Sequence, residues 1–340
     1  MNKNSYKFNS SPQSKIANTI LFLLVFLMFN NVVYAEPITI RFSHVVNDNA
    51  TKGQMAITFK KLIKERLGDE VLKVEIYNNS SLVNDDELAD ALINGRVEMG
   101  VPSISKLKKL SKRLQVFDIP FIFVSTEAVE NFMDGPYGKR MLQLLKNRGL
   151  IGLGFMDSGM KQISAKTPIK LPSDLKGLRY RIMNSDVLEA QFRQIQAIPL
   201  RKPYSKVYSL LKDNKIDGQE NTWSNMFSKK FYEHQPYIIE SNHGYLGSIV
   251  LTSTKFWESI PSGIKPVVEK SLKESLEYGN TLAKERALSD RERIIKSGLT
   301  KIHLMTLEER KQWVTAMQPV WKSYEDEIGS ELIQAAASSR

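Results

Sequence analysis

The spacing of apolar residues along the first hundred residues alternates between the periods of a strand and a helix. Residues 37–45 are predicted to form a strand, and apolar residues at helical spacing then continue to Gly68, which predicts an amphipathic helix. Residues 72–76 alternate apolar and charged side chains, as a half-buried strand does. A short helix over 85–94 and a strand at 99–101 follow. Strands that alternate with helices indicate an α/β fold with a largely parallel sheet.

The middle of the chain continues this alternation. The pattern predicts a helix over about residues 127–146, followed by strands at 150–155, 161–165, 178–183 and 246–252. Ser185 is placed to cap a helix that is buried through Leu188 and Phe192. Residues 217–221 (DGQEN) are predicted to form one polar turn that leads into a helix rich in aromatic residues. Such a turn suits a small polar ligand held between two domains.

One long helical pattern dominates the last third of the chain, from about residue 262 to residue 297. Pro266 falls in its first turn, where a missing N–H group costs little. Thr306 and Glu309 form a capping-box pattern for the final helix. A helix of about 35 residues is about 50 Å long, which is enough to lie along two domains.

The first 35 residues have the layout of a secretory signal peptide. Three lysines and no acidic residue precede an almost entirely apolar run over 16–29, and Val33-Tyr34-Ala35 has the small-residue pattern of a cleavage site. An uncleaved membrane anchor is the alternative, but the apolar run is short for a span of about 20 residues. We expect export to the periplasm and cleavage after Ala35. The remaining residues, 36–340, suffice for two domains of about 150 residues each.

The absence of cysteine narrows the possible chemistry. It excludes disulfides, thiol catalysis, Cys-ligated metals and lipid attachment at an N-terminal cysteine. The formal net charge of +11 would suit a nucleic-acid partner. However, the densest basic run, at 106–113, is interleaved with leucines at helical spacing, as in a solvated helix face over an apolar stripe. We therefore expect no nucleic-acid partner.

Sequence signals for a cofactor or a metal are weak. Gly152 and Gly154 form a Gly-x-Gly pair, but Asp157 stands where the dinucleotide fingerprint has its third glycine. None of the four histidines lies in a metal-ligand spacing such as H-E-x-x-H. The acidic residues 85–87, with Asn84 before them, are typical of a helix start. We expect no cofactor and no metal.

Six segments of residues 36–340 occur in a characteristic order. They are FSHVV at 42–46 with KG at 52–53, FDIPF at 117–121, DSGMKQ at 157–162, DLKGLRYR at 174–181, IDGQEN at 216–221 and SNHGYL at 241–246. Together they resemble the periplasmic solute receptors of TRAP (tripartite ATP-independent periplasmic) transporters, and most closely the subgroup that binds C4-dicarboxylates. The resemblance covers nearly the whole chain after the signal peptide.

This resemblance implies a two-domain clamp of the Venus flytrap type, with a hinge, a ligand buried in the cleft and the long helix spanning both domains. We expect residues 36–158 and about 246–285 to form domain I, and residues 159–245 and about 286–340 to form domain II. The chain departs from the family at Thr51, where a proline is common, and at Met156, where an aromatic residue is common. Lys52 is kept, so the departures concern the rim of the pocket rather than its charge.

Arg181 is the first candidate for ligand contact. The resemblance places the carboxylate-binding arginine of the family at this position, at the end of a predicted strand. A guanidinium group presents a planar fork that matches a carboxylate with two parallel hydrogen bonds. An internal salt bridge is the alternative, and Arg179, two residues earlier, is the natural comparison. A charge in a cleft requires a partner, which the ligand would supply.

The other candidates lie in the same segments. Asn221 offers a donor and an acceptor and would also suit a helix cap, while Lys161 and Lys52 suit a second carboxylate unless they are surface lysines. Further candidate wall or hinge contacts are Gln162, Ser103, Phe121, Trp223, His44 and His243. Core packing is the alternative for Trp223, and a structural role is the alternative for both histidines.

The leading hypothesis is therefore a transport receptor that passes a small carboxylate to a TRAP permease with a small and a large membrane subunit. Succinate, fumarate and malate fit equally well, and a hydroxy or keto monocarboxylate would also use Arg181. The alternative is a periplasmic lyase or hydrolase, for which His243, Glu220 and Lys161 are candidates that no spacing specifies. A sensory receptor for a membrane kinase would have the same cleft. We expect a monomer.

Overall fold

One mixed sheet of nine strands forms the centre of the part of the molecule that the structure describes. That part is residues 36–340 of a computed structural model, and the predicted signal peptide lies outside it. The strands are β1 (Ile38–Ser43), β2 (Leu72–Tyr77), β3 (Met99–Gly100), β4 (Leu150–Ala165), β5 (Arg179–Ile182), β6 (Ile198–Arg201), β7 (Gly218–Thr222), β8 (Tyr237–Ser253) and β9 (Lys301–Leu304).

Twelve α-helices lie within residues 36–340. They are α1 (Thr51–Leu67), α2 (Leu88–Ile93), α3 (Thr126–Asp134), α4 (Pro136–Leu144), α5 (Asp186–Gln194), α6 (Val207–Lys212), α7 (Trp223–Ser228), α8 (Thr254–Ser259), α9 (Lys265–Lys296), α10 (Leu307–Ser323), α11 (Glu325–Ile328) and α12 (Ser330–Ser338). In this described range, no helix is both long enough and apolar enough to cross a lipid bilayer.

The strand order is β2-β1-β3-β8-β4-β7-β5-β6, and β9 pairs with β8. β1 is parallel to both β2 and β3, and these three strands form the first half-sheet. β5 is parallel to both β6 and β7, and these form the second half-sheet. The two long strands β4 and β8 are antiparallel to each other and connect the half-sheets. The predicted α/β class is confirmed, although the central pair makes the sheet mixed.

Two strand predictions are wrong in extent. The strands predicted at 150–155 and 161–165 are one strand of 16 residues, β4, and the strand predicted at 246–252 is the second half of β8, which has 17 residues. The glycines and Ser158 resemble turn signals, but they lie at irregularities inside the β4–β8 ladder. Register shifts occur there at Gly152/Gly154, Asp157/Gly159 and Lys161/Ile163, as β-bulges produce.

The polar turn predicted at 217–221 is also wrong. Its residues from Gly218 onward belong to strand β7, and every residue of β7 is buried. The polar sequence suggested a loop, but the strand lies between β4 and β5, and its residues Glu220 and Asn221 line a cavity. Thr222 caps helix α7, since its side chain accepts a hydrogen bond from the backbone N–H of Asn225.

The helix predicted at 127–146 is two helices, α3 and α4. Gly135 and Pro136 separate them, because proline starts a new helix at its first position and cannot continue the previous one. The cap predicted at Ser185 is confirmed, because its side chain accepts from the backbone N–H of Leu188. The capping box of Thr306 and Glu309 is confirmed as well.

The long helix α9 runs along both half-sheets, as predicted. Leu272 and Leu276 in its first half pack with Phe42 of β1 in one buried apolar cluster. Ile294 near its end packs with Trp223 in another cluster, beside α7. Apolar burial near both ends fixes the helix against both parts of the sheet, as expected for a helix long enough to lie along two domains.

Candidate functional site

Polar side chains from both half-sheets converge on one cavity. The cavity encloses about 720 Å³ of space free of protein atoms, part of it open to solvent, which is within the usual range for small-molecule sites. Apolar side chains supply part of its wall, among them Val45, Val46, Met183 and Leu246. Tyr204 lies across from the first two, in contact with them and with Ala50.

Arg181 is the next-to-last residue of strand β5, lines this cavity and is only 2% exposed. Its Nε donates to the backbone carbonyl of Lys202 at 2.9 Å. Among residues 36–340, neither terminal nitrogen has a hydrogen-bond partner, and no carboxylate lies within 4.0 Å of the guanidinium. Burial lowers the pKa of Arg181 to about 10, although Glu220 opposes this, so the group remains a cation at neutral pH. The two terminal nitrogens of Arg181 are therefore available to bind an anion.

Arg179 on the same strand behaves differently. Its Nε and Nη2 bind the two carboxylate oxygens of Asp217 at 2.9 and 2.7 Å. This ion pair is partly exposed, and neither residue lines the cavity. The alternative of an internal salt bridge therefore applies to Arg179 and not to Arg181.

Lys161 of β4 forms a buried cluster with Glu220 and His243. Its Nζ lies 2.7 Å from Oε2 of Glu220 on the adjacent strand β7, and both side chains are 1% exposed. The Nε2 of His243 lies 3.0 Å from the same oxygen. Burial alone would raise the pKa of Glu220, but Lys161 and His243 lower it to about 2. Burial lowers the pKa of His243, so a neutral imidazole accompanies the ion pair at neutral pH.

Lys52 reaches the cavity from the first turn of α1 and is 4% exposed. Its Nζ donates to the backbone carbonyl of Val101 at 2.9 Å, and among residues 36–340 no carboxylate lies within salt-bridge distance. Burial lowers the pKa of Lys52, while Asp85 partly opposes the shift. Lys52 and Arg181 are thus two buried basic side chains without a carboxylate partner, and they line one cavity beside different half-sheets.

One prediction about a charged run is wrong at the cavity wall. Residues 106–113 are not one solvated helix, because two 3₁₀ turns (Ile104–Leu107 and Lys112–Asp118) occupy this region. The Lys106 side chain is only 5% exposed and binds Asp86 through both carboxylate oxygens, at 2.9 and 2.7 Å. Asp85 and Asp86 lie directly before α2, as predicted for a helix start, and they also line the cavity.

Comparison with known proteins identifies the family of this chain. The model of the bacterial extracellular solute-binding proteins, family 7, matches residues 42–327, which is most of the chain. This chain belongs to that family.

Similar proteins agree with this assignment. The chain is 47% identical over 306 residues to a C4-dicarboxylate-binding periplasmic protein of Shewanella loihica, and the alignment covers 90% of this chain and 91% of that one. A TRAP periplasmic solute-binding protein of Shewanella oneidensis, solved with bound succinate, is 46% identical, with a TM-score of 0.88 over 89% of this chain and 99% of that chain. One of Pseudomonas aeruginosa, solved with bound L-malate, is 38% identical, with a TM-score of 0.81 over 85% of this chain and 100% of that chain.

Membership of the family confirms the two-domain clamp fold and the solute-receptor function. It does not support the alternative of a periplasmic lyase or hydrolase. The three groups considered for catalysis (Lys161, Glu220 and His243) are bound to one another in the interior. Within residues 36–340, no group of three or more His, Asp or Glu side chains is arranged to hold a metal ion.

Five of the ten residues that the sequence predicts to contact the ligand line the cavity of this solute-binding protein. These are Arg181, Asn221, Lys161, Lys52 and Ser103. Asn221 uses its Oδ1 to accept from the backbone N–H of Thr222 at 3.0 Å and from Nδ2 of Asn225 at 2.8 Å. Its own amide nitrogen has no acceptor among residues 36–340 and is free to donate to a ligand.

The other five candidates lie outside the lining. Gln162 exchanges two hydrogen bonds with Asn242, and His243 lies behind Glu220. Trp223 lies under the guanidinium of Arg291, and Phe121 lies under that of Arg310. His44 hydrogen-bonds the backbone carbonyl of Val46, and burial lowers its pKa to about 4, so it is neutral at pH 7. None of these five side chains lines the cavity.

Among the cavity-lining residues that sequence reasoning missed are Lys106, Asp85, Asp86 and Tyr204. The three charged ones lie in runs that are typical of a solvated surface. Tyr204 lies in a short 3₁₀ turn (Tyr204–Lys206) directly before α6. In the chain, residues 85–86 lie directly before α2, and residues 103–106 follow the end of β3.

Proposed function

We propose that this protein is the periplasmic receptor for a C4-dicarboxylate and that it delivers the ligand to a TRAP permease with a small and a large membrane subunit. The observation that carries the proposal is that two buried basic side chains without a carboxylate partner, Arg181 and Lys52, line the same cavity. Each requires an anionic partner in the low-dielectric interior. A short dicarboxylate supplies one carboxylate to each, and succinate and L-malate are bound in two similar proteins.

Closure of the clamp follows from a ligand that contacts both half-sheets. β4 and β8 connect the half-sheets, and the register shifts at Asp157/Gly159 and Lys161/Ile163 lie in the stretch of β4 next to the cavity. Bulged strands bend more easily than regular ones, so these positions suit a hinge. A ligand bound by Lys52 and Arg181 together stabilises only the closed arrangement, which the permease then recognises.

We place the mature receptor in the periplasm, with the signal peptide removed after Ala35, and we propose that it acts as a monomer. The names of similar proteins describe them as periplasmic. For the domains we keep the division given by the sequence, with one change. Ile328 and Leu332 pack in one apolar cluster with Phe117, whereas Trp313 packs with Tyr180. We therefore propose that α11 and α12 belong to domain I.

A thermal-shift screen of residues 36–340 tests the ligand class. Ligand at 100 times its dissociation constant is expected to raise the free energy of unfolding by about 2.7 kcal/mol. We expect a rise in melting temperature with succinate, fumarate and malate, and none with sugars or amino acids. A rise only with monocarboxylates would retain the receptor and reject the dicarboxylate. No rise with any carboxylate, for protein refolded to remove bound ligand, would reject the proposal.

Replacing Lys52 by methionine is expected to weaken succinate binding by about tenfold or more, because one charge-assisted contact is lost. A monocarboxylate such as lactate, held by Arg181 alone, is expected to lose much less. Lys61 is the matched control, because it lies on the exposed side of the same helix α1. Isothermal titration calorimetry of Lys52→Met and Lys61→Met with both ligands checks this. Equal losses for succinate and lactate would contradict the role of Lys52 in holding a second carboxylate.

A further inference from the structure

The positive charge of residues 36–340 is concentrated in one part of the chain. Residues 159–245 contain 14 Lys and Arg against 8 Asp and Glu, which leaves +6. Residues 36–158 (17 against 16) and residues 246–340 (14 against 13) each leave only +1. Much of the excess lies in the links that lead into β5, β7 and β9. The basic residues at these links are Lys166, Lys170, Lys176, Arg179, Lys212, Lys215 and Lys301.

Strand pairing brings these seven residues to one edge of the sheet, which we call the basic edge. Tyr237 of β8 pairs with Lys301 of β9 on one side and with Ala165 of β4 on the other. Gly218 of β7 pairs with Ala165 and with Tyr180 of β5. Five strands therefore begin or end in one row, and four strand spacings of about 4.8 Å give this row a width of about 19 Å.

The lysines of the basic edge have no carboxylate partner. Among residues 36–340, Arg179 is the member of the edge that forms an ion pair, with Asp217, and Lys166 binds the side chain of Asn214 instead. The other five lysines are all exposed. They are Lys170, Lys176, Lys212, Lys215 and Lys301.

Nearby acidic residues do not neutralise the basic edge. Asp174 uses its carboxylate to accept from two backbone N–H groups of its own loop, and Asp217 is already paired. With Asp213, three carboxylates stand against the seven basic side chains, which leaves a net charge of +4. Glu233 lies close by but is within ion-pair distance of Lys230, so that pair adds no net charge.

The basic edge lies at the far end of its strands from the ligand cavity. β4 contributes Lys161 to the cavity and reaches the edge at Lys166, about 16 Å further along an extended chain. β7 begins at the edge with Gly218 and contributes Glu220 and Asn221 to the cavity. None of the seven basic residues lines the cavity. A partner at the basic edge therefore leaves the cleft free.

The composition of the basic edge suits an extended anionic surface rather than one small anion. Lysine is a flexible point charge, whereas Arg179, which could grip a single anion with its planar fork, is bound to Asp217. Leu299, directly before β9, is 54% exposed and lines a hollow together with Lys166 and Lys212. An exposed apolar side chain among lysines is typical of protein surfaces that rest on lipid headgroups.

We propose that the basic edge is a docking surface for a membrane that contains anionic phospholipids. This membrane partner rests on the proposed periplasmic location and does not depend on which carboxylate is bound. Salt-screened attraction holds the receptor close to the membrane in which its permease lies. Because the cleft stays free and the attraction is weak, the receptor captures its ligand there and can still turn towards the permease.

Flotation of residues 36–340 with lipid vesicles tests the proposal. Vesicles of phosphatidylcholine and phosphatidylglycerol in equal amounts are the probe, and vesicles of phosphatidylcholine alone are the neutral control. At about 0.1 M salt we expect binding to the anionic vesicles only. At about 1 M salt, where the Debye length is about 3 Å, that binding should be lost.

The variant Lys170→Gln/Lys176→Gln/Lys215→Gln removes three exposed charges from the basic edge. Each lysine near an anionic surface raises the affinity by about fivefold, so the partition coefficient on anionic vesicles should fall by about 100-fold. Its affinity for succinate should stay within about threefold of wild type, because none of the three residues lines the cavity.

The matched control is Lys109→Gln/Lys139→Gln/Lys270→Gln. It removes the same charge from exposed positions that lie outside the basic edge. Its partition coefficient should fall by less than about threefold, because charges beyond a Debye length of the membrane are largely screened.

Two results on vesicles would overturn the proposal. The first is the absence of binding to anionic vesicles at about 0.1 M salt. The second is an equal loss for both triple variants, which would show attraction by net charge without a dedicated surface. Binding to heparin but not to vesicles would also overturn it, in favour of an acidic macromolecule. Wild-type protein that binds vesicles but no carboxylate would reject the proposed receptor and retain the membrane surface.

Discussion

Arg181→Ala is expected to abolish carboxylate binding and leave the fold intact. The ligand loses two hydrogen bonds to a charged donor, each worth about 1.5–3 kcal/mol, so the dissociation constant should rise by roughly 10²- to 10⁴-fold. The unliganded protein should not become less stable, because the variant removes a buried cation that has no carboxylate partner among residues 36–340. Calorimetric titration and thermal melting of the same sample measure both effects.

Arg179→Ala is the matched control, since it lies two residues away on the same strand and pairs with Asp217 outside the cavity. Its affinity should stay within threefold of wild type. Arg181→Lys should also bind poorly, because an ammonium group lacks the planar fork of a guanidinium. If Arg181→Ala retains affinity within threefold of wild type, Arg181 does not anchor the ligand.

Lys161→Met is expected to have the largest effect on stability. It leaves the carboxylate of Glu220 buried without its main cationic partner, and breaking a buried pair in this way costs about 3–5 kcal/mol of the free energy of unfolding. The double variant Lys161→Met/Glu220→Gln should recover most of that loss, because Gln carries no charge and can still bind His243. Chemical denaturation of the wild type, both single variants and the double variant measures the coupling.

A loss of less than about 1 kcal/mol for Lys161→Met would contradict a structural ion pair at this position. Strictly additive single effects would do the same, because they would show that Lys161 and Glu220 do not interact. Lys166→Met is a suitable control, since Lys166 follows β4, is only partly buried and has no carboxylate partner within residues 36–340. It should change the free energy of unfolding by less than about 0.5 kcal/mol.

The sequence predicts the fold best where a local pattern determines the structure. The long helix α9, the cap at Ser185 and the box of Thr306 and Glu309 each depend on residues close in the chain, and all are present. The long strands were missed because Gly159 and its neighbours resemble a turn, whereas pairing with β8 keeps the backbone extended through the irregularity. Such pairing is a tertiary effect that the local sequence does not encode.

The candidate site was predictable in part for a related reason. Arg181, Lys161 and Asn221 lie in segments that resemble a known family, and the structure places all three in one cavity. Lys106 and Asp86 were missed because each lies in a charged run, and only the folded chain pairs them and buries the lysine. Charged residues are normally exposed, so a buried charge cannot be recognised from composition.

Equilibrium binding of labelled succinate to refolded, ligand-free residues 36–340 tests the central claim most directly. We expect saturable binding of one molecule per chain, recovery of unchanged succinate, and loss of the signal in Arg181→Ala but not in Arg179→Ala. Conversion of the ligand, or the absence of saturable binding at millimolar succinate by a protein that melts cooperatively, would contradict a receptor that holds a small dicarboxylate between Arg181 and Lys52.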